Sequence, residues 1–103
     1  MMFKKWLESN NPISTFQAIT DKIMERYDLL TPCDVVNGHC QQWAELANKR
    51  IPKSEIFFLE HNDIPHAVIF LAGLYYDAET PQGVRDYRQL PIFNRPRGEC
   101  PEN

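Results

Sequence analysis

The chain has 103 residues, a formal net charge of −3 and 43% hydrophobic residues. This length predicts one domain with a modest core, and the apolar content excludes an intrinsically disordered chain. Acidic and basic residues are interspersed along the chain. Because no basic patch is present to hold a phosphate backbone, we expect no nucleic-acid partner.

The N-terminal segment and the cysteines bear on the compartment in which the protein works. Lys4 and Lys5 have no apolar run behind them, unlike a signal peptide, and no stretch is long enough to span a bilayer. Cys33, Cys40 and Cys100 are odd in number and lack CxxC spacing. This argues against a disulfide scaffold and for a reducing compartment with at least one free thiol. We therefore expect a cytoplasmic protein with no membrane partner.

Two helices are predicted before the first cysteine. A short one over residues 2–9 precedes a longer amphipathic helix, which we expect to start at a Ser14–Gln17 capping box and to end near Leu29. Apolar residues recur along the second helix at steps of three and four, which predicts a stripe that faces the core. The stripe comprises Phe16, Ile19, Ile23, Tyr27 and Leu30.

The next predicted helix starts near Asn37 and carries Cys40 in its first turn, on the inward face with Trp43. Residues 31–38 are expected to form a loop, in which Asp34 or Asn37 caps the helix. Free N–H groups and the helix dipole favour negative charge at a helix start. The thiolate, which is the nucleophilic form of cysteine, is therefore favoured at Cys40.

Three strands are predicted after this helix, at residues 55–60, 66–70 and 74–77. The middle strand is apolar on both faces, as a central strand is. Residues 80–83 indicate a turn, residues 84–90 a short helical turn, and the tail from about residue 94 irregular structure.

The hairpin between the last two strands determines how His66 and Asp77 are related. A Leu71-Ala72 loop places them directly opposite each other, and an Ala72-Gly73 loop makes them diagonal neighbours on one face. A bulge with Gly73 in the left-handed conformation places them on opposite faces. The sequence leaves these alternatives open.

Cys40, His66 and Asp77 follow one another in an order that suits a catalytic triad. An imidazole must reach the thiol, and a carboxylate must hold the imidazole in the required tautomer. Each residue also has a simpler explanation: a buried thiol, a strand-edge histidine and a turn aspartate. The combination of a thiol at a helix start with two hairpin neighbours favours catalysis.

The segment Gly38-His39-Cys40-Gln41-Gln42-Trp43-Ala44 resembles the Gly-x-Cys-x-x-aromatic-Ala motif of the transglutaminase-like group of papain-like cysteine proteases. This group includes bacterial transglutaminase-like cysteine proteinases. His66-Ala67-Val68 and Leu74-Tyr75-Tyr76-Asp77 are similar to its His and Asp motifs. The resemblance spans roughly residues 34–80. It implies an α+β fold with a papain-like core, in which N-terminal helices pack on a small antiparallel β-sheet within a single domain over residues 1–103.

The resemblance also implies a cysteine hydrolase or acyltransferase that acts on a peptide or amide bond of a peptide or protein substrate. Cys40 would attack the carbonyl, His66 would serve as general base and then acid, and Asp77 would orient His66. The upstream glutamine of papain-type enzymes is missing from this chain. Asn37 and the Cys40 N–H are therefore the expected oxyanion donors.

Two other interpretations are weighed beside this one. Cys33, His39, Cys40 and His61 match no usual Cys/His zinc spacing, so we expect neither a metal nor a cofactor. The second interpretation is a non-catalytic papain-like binding module, an inhibitor or an adaptor. The short chain and the missing upstream glutamine favour it.

Overall fold

The computed structural model describes residues 12–96 and 100, and the helix expected over residues 2–9 lies outside them. Within this part of the chain, two helices are followed by four strands and two short 3₁₀ turns. The elements are α1 (Pro12–Tyr27), α2 (Pro32–Arg50), β1 (Glu55–His61), β2 (Ile64–Leu71), β3 (Leu74–Asp77), β4 (Thr80–Val84) and the 3₁₀ turns Tyr87–Gln89 and Pro91–Asn94. No helix in the described ranges is long and apolar enough to cross a membrane.

The four strands form one antiparallel sheet in the order β1-β2-β3-β4. Both helices pack on this sheet, α2 mainly against β2 and α1 against β4. The predicted α+β class, with helices on a small antiparallel sheet, is confirmed. Strand β2 is central and buries Ala67, Val68 and Ile69, which also confirms the expectation that it is covered on both faces.

Helix α1 starts two residues before the expected Ser14 cap, because Pro12 is its first residue. Proline suits this position, since its fixed φ is helical and its missing N–H would have no partner there. Phe16, Ile19 and Ile23 of the predicted stripe are buried, whereas Leu30 is 85% exposed. The helix ends before Asp28, which has a left-handed φ of 55° and turns the chain away.

The prediction of a loop over residues 31–38 is wrong, because helix α2 already starts at Pro32. Thr31 and Asp34 form a reciprocal capping box: the Asp34 N–H donates to Thr31 Oγ1 at 3.4 Å, and the Thr31 N–H donates to Asp34 Oδ2 at 3.0 Å. The extra helical turns bury Val35 and Val36 in the core. This burial and the cap explain why the helix starts early.

The hairpin between β2 and β3 has the two-residue loop Ala72-Gly73, since Leu71 pairs with Leu74. Both loop residues have positive φ, 52° at Ala72 and 85° at Gly73, as the tight turns of such hairpins require. Of the three alternatives, this is the turn that makes His66 and Asp77 diagonal neighbours. The β2–β3 pairing ends at Ile69 and Tyr76, one residue before Asp77.

Residues 80–84 form an edge strand, β4, where the composition of residues 80–83 predicts a turn. An edge strand tolerates Pro81, because its missing N–H is not needed for pairing on the open side. Gly83 has a φ of +80°, and a register shift separates Tyr75 from Asp77 along the β3–β4 pairing. Such an irregularity bends the strand and re-aims nearby side chains.

Each face of the sheet has its own aromatic cluster. On the helix side, the Phe16 ring lies 5.3 Å from that of Trp43 and 4.8 Å from that of Tyr76. On the opposite side, stacked and edge-on rings connect the strands to the C-terminal 3₁₀ turns. These rings belong to Phe57, Phe70, Tyr75, Tyr87 and Phe93.

A disulfide joins Cys33 in the first turn of α2 to Cys100 near the end of the chain. The cysteine count and spacing, which argue against a disulfide scaffold, do not predict this bond, whereas the expected free thiol is present at Cys40. The two paired cysteines are 67 residues apart in sequence. Their pairing depends on how the tail returns to α2, which no local spacing rule reveals.

We predict that Gly83→Ala destabilises the protein by more than about 2 kcal/mol. A Cβ at Gly83 would lie 2.7 Å from the ring of Tyr76, which is packed against Phe16 and cannot move aside freely. Gly73→Ala is the matched control, because Gly73 also has a positive φ but a Cβ there would meet nothing within 4 Å. Its expected cost is about 1 kcal/mol. Equal urea-unfolding free energies for the two variants would contradict the predicted clash.

We predict that reduction lowers the free energy of unfolding by about 4 kcal/mol, because the disulfide closes a long loop in the unfolded chain. Urea unfolding with and without a phosphine reductant measures this difference. Cys100→Ser is the control, since its stability should not respond to the reductant. Detection of three free thiols in the unreduced, unfolded protein would contradict the pairing.

Candidate functional site

Cys40 directly follows an interruption in helix α2. His39 has a non-helical backbone (φ −133°, ψ 22°), so the helix consists of two segments that meet at this residue. Cys40 is therefore the first residue of the second segment, although α2 as a whole starts eight residues earlier. The expectation that Cys40 lies in the first turn of its helix is therefore wrong for α2 as a whole, and Cys40 instead follows the break within it.

The interruption contacts the other helix. The His39 ring stacks on Tyr27 with the ring centroids 4.4 Å apart, and the Arg26 guanidinium lies 5.6 Å from the centroid of the same Tyr27 ring. Tyr27 is the last residue of α1. The end of α1 thus packs against the break in α2, and Cys40 lies immediately beyond it.

Cys40 and Asp77 both line a narrow space between α2 and the sheet, which we call the Cys40 cleft. Its empty volume is ≈ 140 Å³, and it has no room for a water-sized sphere. Cys40 is half-buried there, whereas Asp77 is only 2% exposed. The other lining residues are mostly apolar: Val35, Val36, Trp43, Ala67 and Ala78. The structure therefore brings together two of the three predicted triad residues at one cleft.

The Asp77 carboxyl has few hydrogen-bond donors. Oδ1 accepts from the Glu79 N–H at 3.0 Å, and the buried Oδ2 has no hydrogen-bond partner among the described residues. Burial, followed by repulsion from the Glu79 carboxylate, raises the pKa of Asp77 to about 7, although interactions with the Glu79 amide and with Thr80 lower it in part. Near neutral pH this carboxyl is therefore close to half protonated.

Glu79 is itself held by a cation from the tail. The Arg95 guanidinium makes a two-pronged contact with the Glu79 carboxylate, including an Nη1–Oε2 hydrogen bond of 2.8 Å, and both side chains are largely buried. The hydrogen bond with Glu79 raises the pKa of Arg95. Neither residue stands out in the sequence, where Arg95 falls in a tail expected to be irregular. An arginine and a glutamate 16 residues apart give no local signal.

His66 lies at the start of β2 and is 6% exposed. Its ring centroid is 6.1 Å from that of His61 and 6.3 Å from that of Phe93. Its chain neighbour Ala67 lines the Cys40 cleft. Because side chains alternate along a strand, His66 leaves β2 on the side opposite Ala67. His66 is thus adjacent to the cleft along the chain, while its ring packs among aromatic residues.

The Asn37 amide is engaged by the disulfide. Its Nδ2 donates to Cys100 Sγ at 3.1 Å and lies 3.5 Å from Cys33 Sγ. Asn37 precedes Cys40 by three residues, across the break at His39. The oxyanion role expected of Asn37 stays a prediction, and in this conformation the amide points to the disulfide.

Trp43 is expected from the sequence only to face the core, and the structure gives it a further connection. It lines the Cys40 cleft, and its indole Nε1 donates to Thr20 Oγ1 at 2.9 Å. The Thr20 hydroxyl donates in turn to the Phe16 carbonyl at 3.0 Å. The wall of the cleft is thereby tied to helix α1.

The zinc arrangement considered from the sequence is not assembled. Cys33 is in the disulfide, and within residues 12–96 and 100 no group of three or more His, Cys, Asp or Glu side chains is positioned to hold a metal ion.

Comparison with known proteins gives no relative: no family model, no curated protein and no solved structure matches this chain.

We predict that the stability of the wild-type protein falls as pH rises from about 4 to about 7, relative to that of Asp77→Asn. In this window the unfolded chain has released the Asp77 proton while the folded protein retains it, because the folded pKa is about 7. The difference should be on the order of 4 kcal/mol and should level off above pH 7. Urea unfolding at several pH values measures it.

Asp86→Asn is the control for this series. Hydrogen bonds from Arg88 lower the pKa of the exposed Asp86, so removal of its charge should leave the fall between pH 4 and pH 7 in place. If wild type and Asp77→Asn keep a constant difference across this range, the buried protonated carboxyl is contradicted.

Proposed function

We propose that the protein is a cysteine hydrolase or acyltransferase with a papain-like core, in which Cys40 attacks a peptide or amide carbonyl. The observation that carries the proposal is the position of Cys40: it opens a helical segment and shares a cleft with the buried carboxyl of Asp77. A cysteine thiol becomes an effective nucleophile when an adjacent base takes its proton. The packing of two helices on an antiparallel sheet is compatible with the proposal.

In this proposal His66 takes the thiol proton and later returns it to the leaving group. Asp77 is the nearby carboxyl that orients the imidazole and stabilises its charged form. The hairpin turn at Ala72-Gly73 keeps His66 and Asp77 on adjacent strands. Asp77 lines the Cys40 cleft together with Ala67, however, whereas His66 leaves β2 on the opposite side. Rotation of the His66 ring alone cannot carry it through the sheet to the cleft, so the active arrangement requires a shift of the β2 backbone. The N–H of Cys40, with Asn37, would stabilise the oxyanion.

The raised pKa of Asp77 gives this chemistry a defined pH dependence. A protonated Asp77 cannot stabilise a charged imidazole, so activity that depends on its carboxylate should rise as the pH passes through about 7. Asp77→Asn should flatten this rise. The pH profile of Asp77→Asn therefore distinguishes a carboxylate that orients the imidazole from a carboxyl that is buried but has no part in activity.

A second candidate is a non-catalytic papain-like binding module. It is favoured by the closed Cys40 cleft, which has no room for a water-sized sphere. A substrate carbonyl can reach Cys40 only if the cleft opens, whereas a binding module needs no opening. The reactivity of the thiol distinguishes the two candidates.

We predict that iodoacetamide modifies Cys40 at pH 6 about tenfold faster in the folded protein than in the urea-unfolded chain, because in this proposal the base that activates the thiol is positioned only in the folded protein. Because Cys33 and Cys100 are paired, the labelled thiol in unreduced protein is Cys40. His66→Ala should remove the acceleration. His61→Ala is the matched control, because His61 is also partly buried and packs beside the same Phe93 ring.

Mass spectrometry of the labelled protein gives the rates. Modification that is slower in the folded protein than in the unfolded chain, or equal effects of His61→Ala and His66→Ala, would contradict the catalytic proposal and favour the binding module.

A further inference from the structure

A second and larger depression lies beside the Cys40 cleft, and we call it the Asp21 groove. It encloses ≈ 350 Å³. One wall is the α1 face with Gln17, Thr20 and Asp21, and the other wall includes Ala78 and Pro81. This volume is at the lower end of the roughly 300–1,000 Å³ range of small-molecule sites. It suits one side chain of a ligand together with its adjoining peptide group.

The Asp21 groove and the Cys40 cleft share a wall. Ala78 lines both, and it directly follows Asp77 in the chain. A second connection runs through Trp43, which lines the cleft and donates a hydrogen bond to Thr20 on the groove side. A peptide bound in the groove therefore lies next to the thiol site, separated from it by one small side chain and one buried hydrogen bond.

The charge of the groove comes from one carboxylate. Glu79 also lines it, but Arg95 neutralises Glu79 through the buried ion pair. Asp21 is exposed and makes no ion pair with any described residue. Lys22 follows Asp21, but neighbouring residues of a helix point to different sides. Among the described residues, the groove thus carries one negative charge that no ion pair compensates, and such a charge attracts a cation.

The remaining lining favours an extended ligand over a bare ion. Gln17 is exposed one turn before Asp21 and offers an amide donor and acceptor to a peptide group. Pro32, Pro81 and Ala78 provide apolar surface. A lysine side chain combines these requirements, because its methylene stem packs on apolar surface while its ammonium stays near a carboxylate.

We propose that the Asp21 groove binds a lysine side chain of a peptide substrate and holds that peptide beside Cys40. The role of the bound peptide as a substrate rests on the proposed function, whereas the binding itself requires no turnover. The Asp21 groove would then determine which peptides bind beside Cys40.

The test uses the full chain with the Cys40→Ala substitution, so that no thiol chemistry interferes. Acetyl-Gly-Lys-Gly-amide and the matched norleucine peptide are titrated into ¹⁵N-labelled protein. The lysine peptide should shift the amide resonances of Gln17, Asp21, Ala78 and Glu79. It should bind about fivefold more tightly than the norleucine peptide at low salt, as expected for one exposed charge pair.

Asp21→Asn should abolish this preference for lysine, and raised salt should weaken it. Glu25→Gln is the matched control, since Glu25 is an exposed carboxylate one turn further along α1. Equal binding of both peptides, an equal loss in Asp21→Asn and Glu25→Gln, or shifts confined to other residues would overturn the proposal. A protein that binds the lysine peptide at this groove but has an unreactive Cys40 keeps the groove proposal and refutes the catalytic one.

Discussion

An ionisable carboxyl buried between a helix and a sheet is the constraint on which the rest of the site depends. Asp77 is 2% exposed and receives one amide hydrogen bond on Oδ1. A carboxylate in such surroundings is unfavourable unless donors or cations compensate it. The chain instead raises the pKa of Asp77 to about 7 and places the neighbouring Glu79 in contact with Arg95. Asp77 is therefore poised to gain or lose a proton near neutral pH beside a free thiol.

The features around this carboxyl converge on the Cys40 cleft from several parts of the chain. The break at His39 packs against Tyr27 and makes Cys40 the start of a helical segment. The Trp43 indole ties the cleft wall to α1 through Thr20. Arg95 connects the tail to the residue that follows Ala78. Ionisable groups with strongly shifted pKa values are enriched at functional sites, which makes the Cys40 cleft with Asp77 a candidate site.

Much of the fold follows from local patterns in the sequence. The apolar run of β2 predicts a central strand, and the periodicity of α1 predicts the buried Phe16, Ile19 and Ile23. The early start of α2 is not predicted, because a proline usually indicates the end of a helix. Here Pro32 is the first residue of the helix, which Thr31 and Asp34 cap. Strand β4 escapes prediction because Pro81 and Gly83 are typical of turns, yet both are tolerated at a bulged edge.

The candidate site can be predicted less completely than the fold. The order of Cys40, His66 and Asp77 is visible in the sequence, and two of these residues line one cleft. The Glu79–Arg95 pair and the Cys33–Cys100 disulfide join distant parts of the chain, and the sequence contains no periodicity that points to them. The environment of the Asn37 amide follows from that disulfide. Tertiary contacts of this kind appear only when the chain is folded.

A ¹³C NMR titration of the side-chain carboxyls tests the juxtaposition of Cys40 and Asp77 most directly. The titration is recorded before and after Cys40 is capped with methyl methanethiosulfonate. We predict that Asp77 titrates near pH 7 and that capping changes both the ¹³C chemical shift and the titration midpoint of its carboxyl. The carboxyl of the exposed Asp86 should show neither change. An Asp77 that titrates near its ordinary value of 3.8 and ignores the capped thiol would contradict the shared cleft.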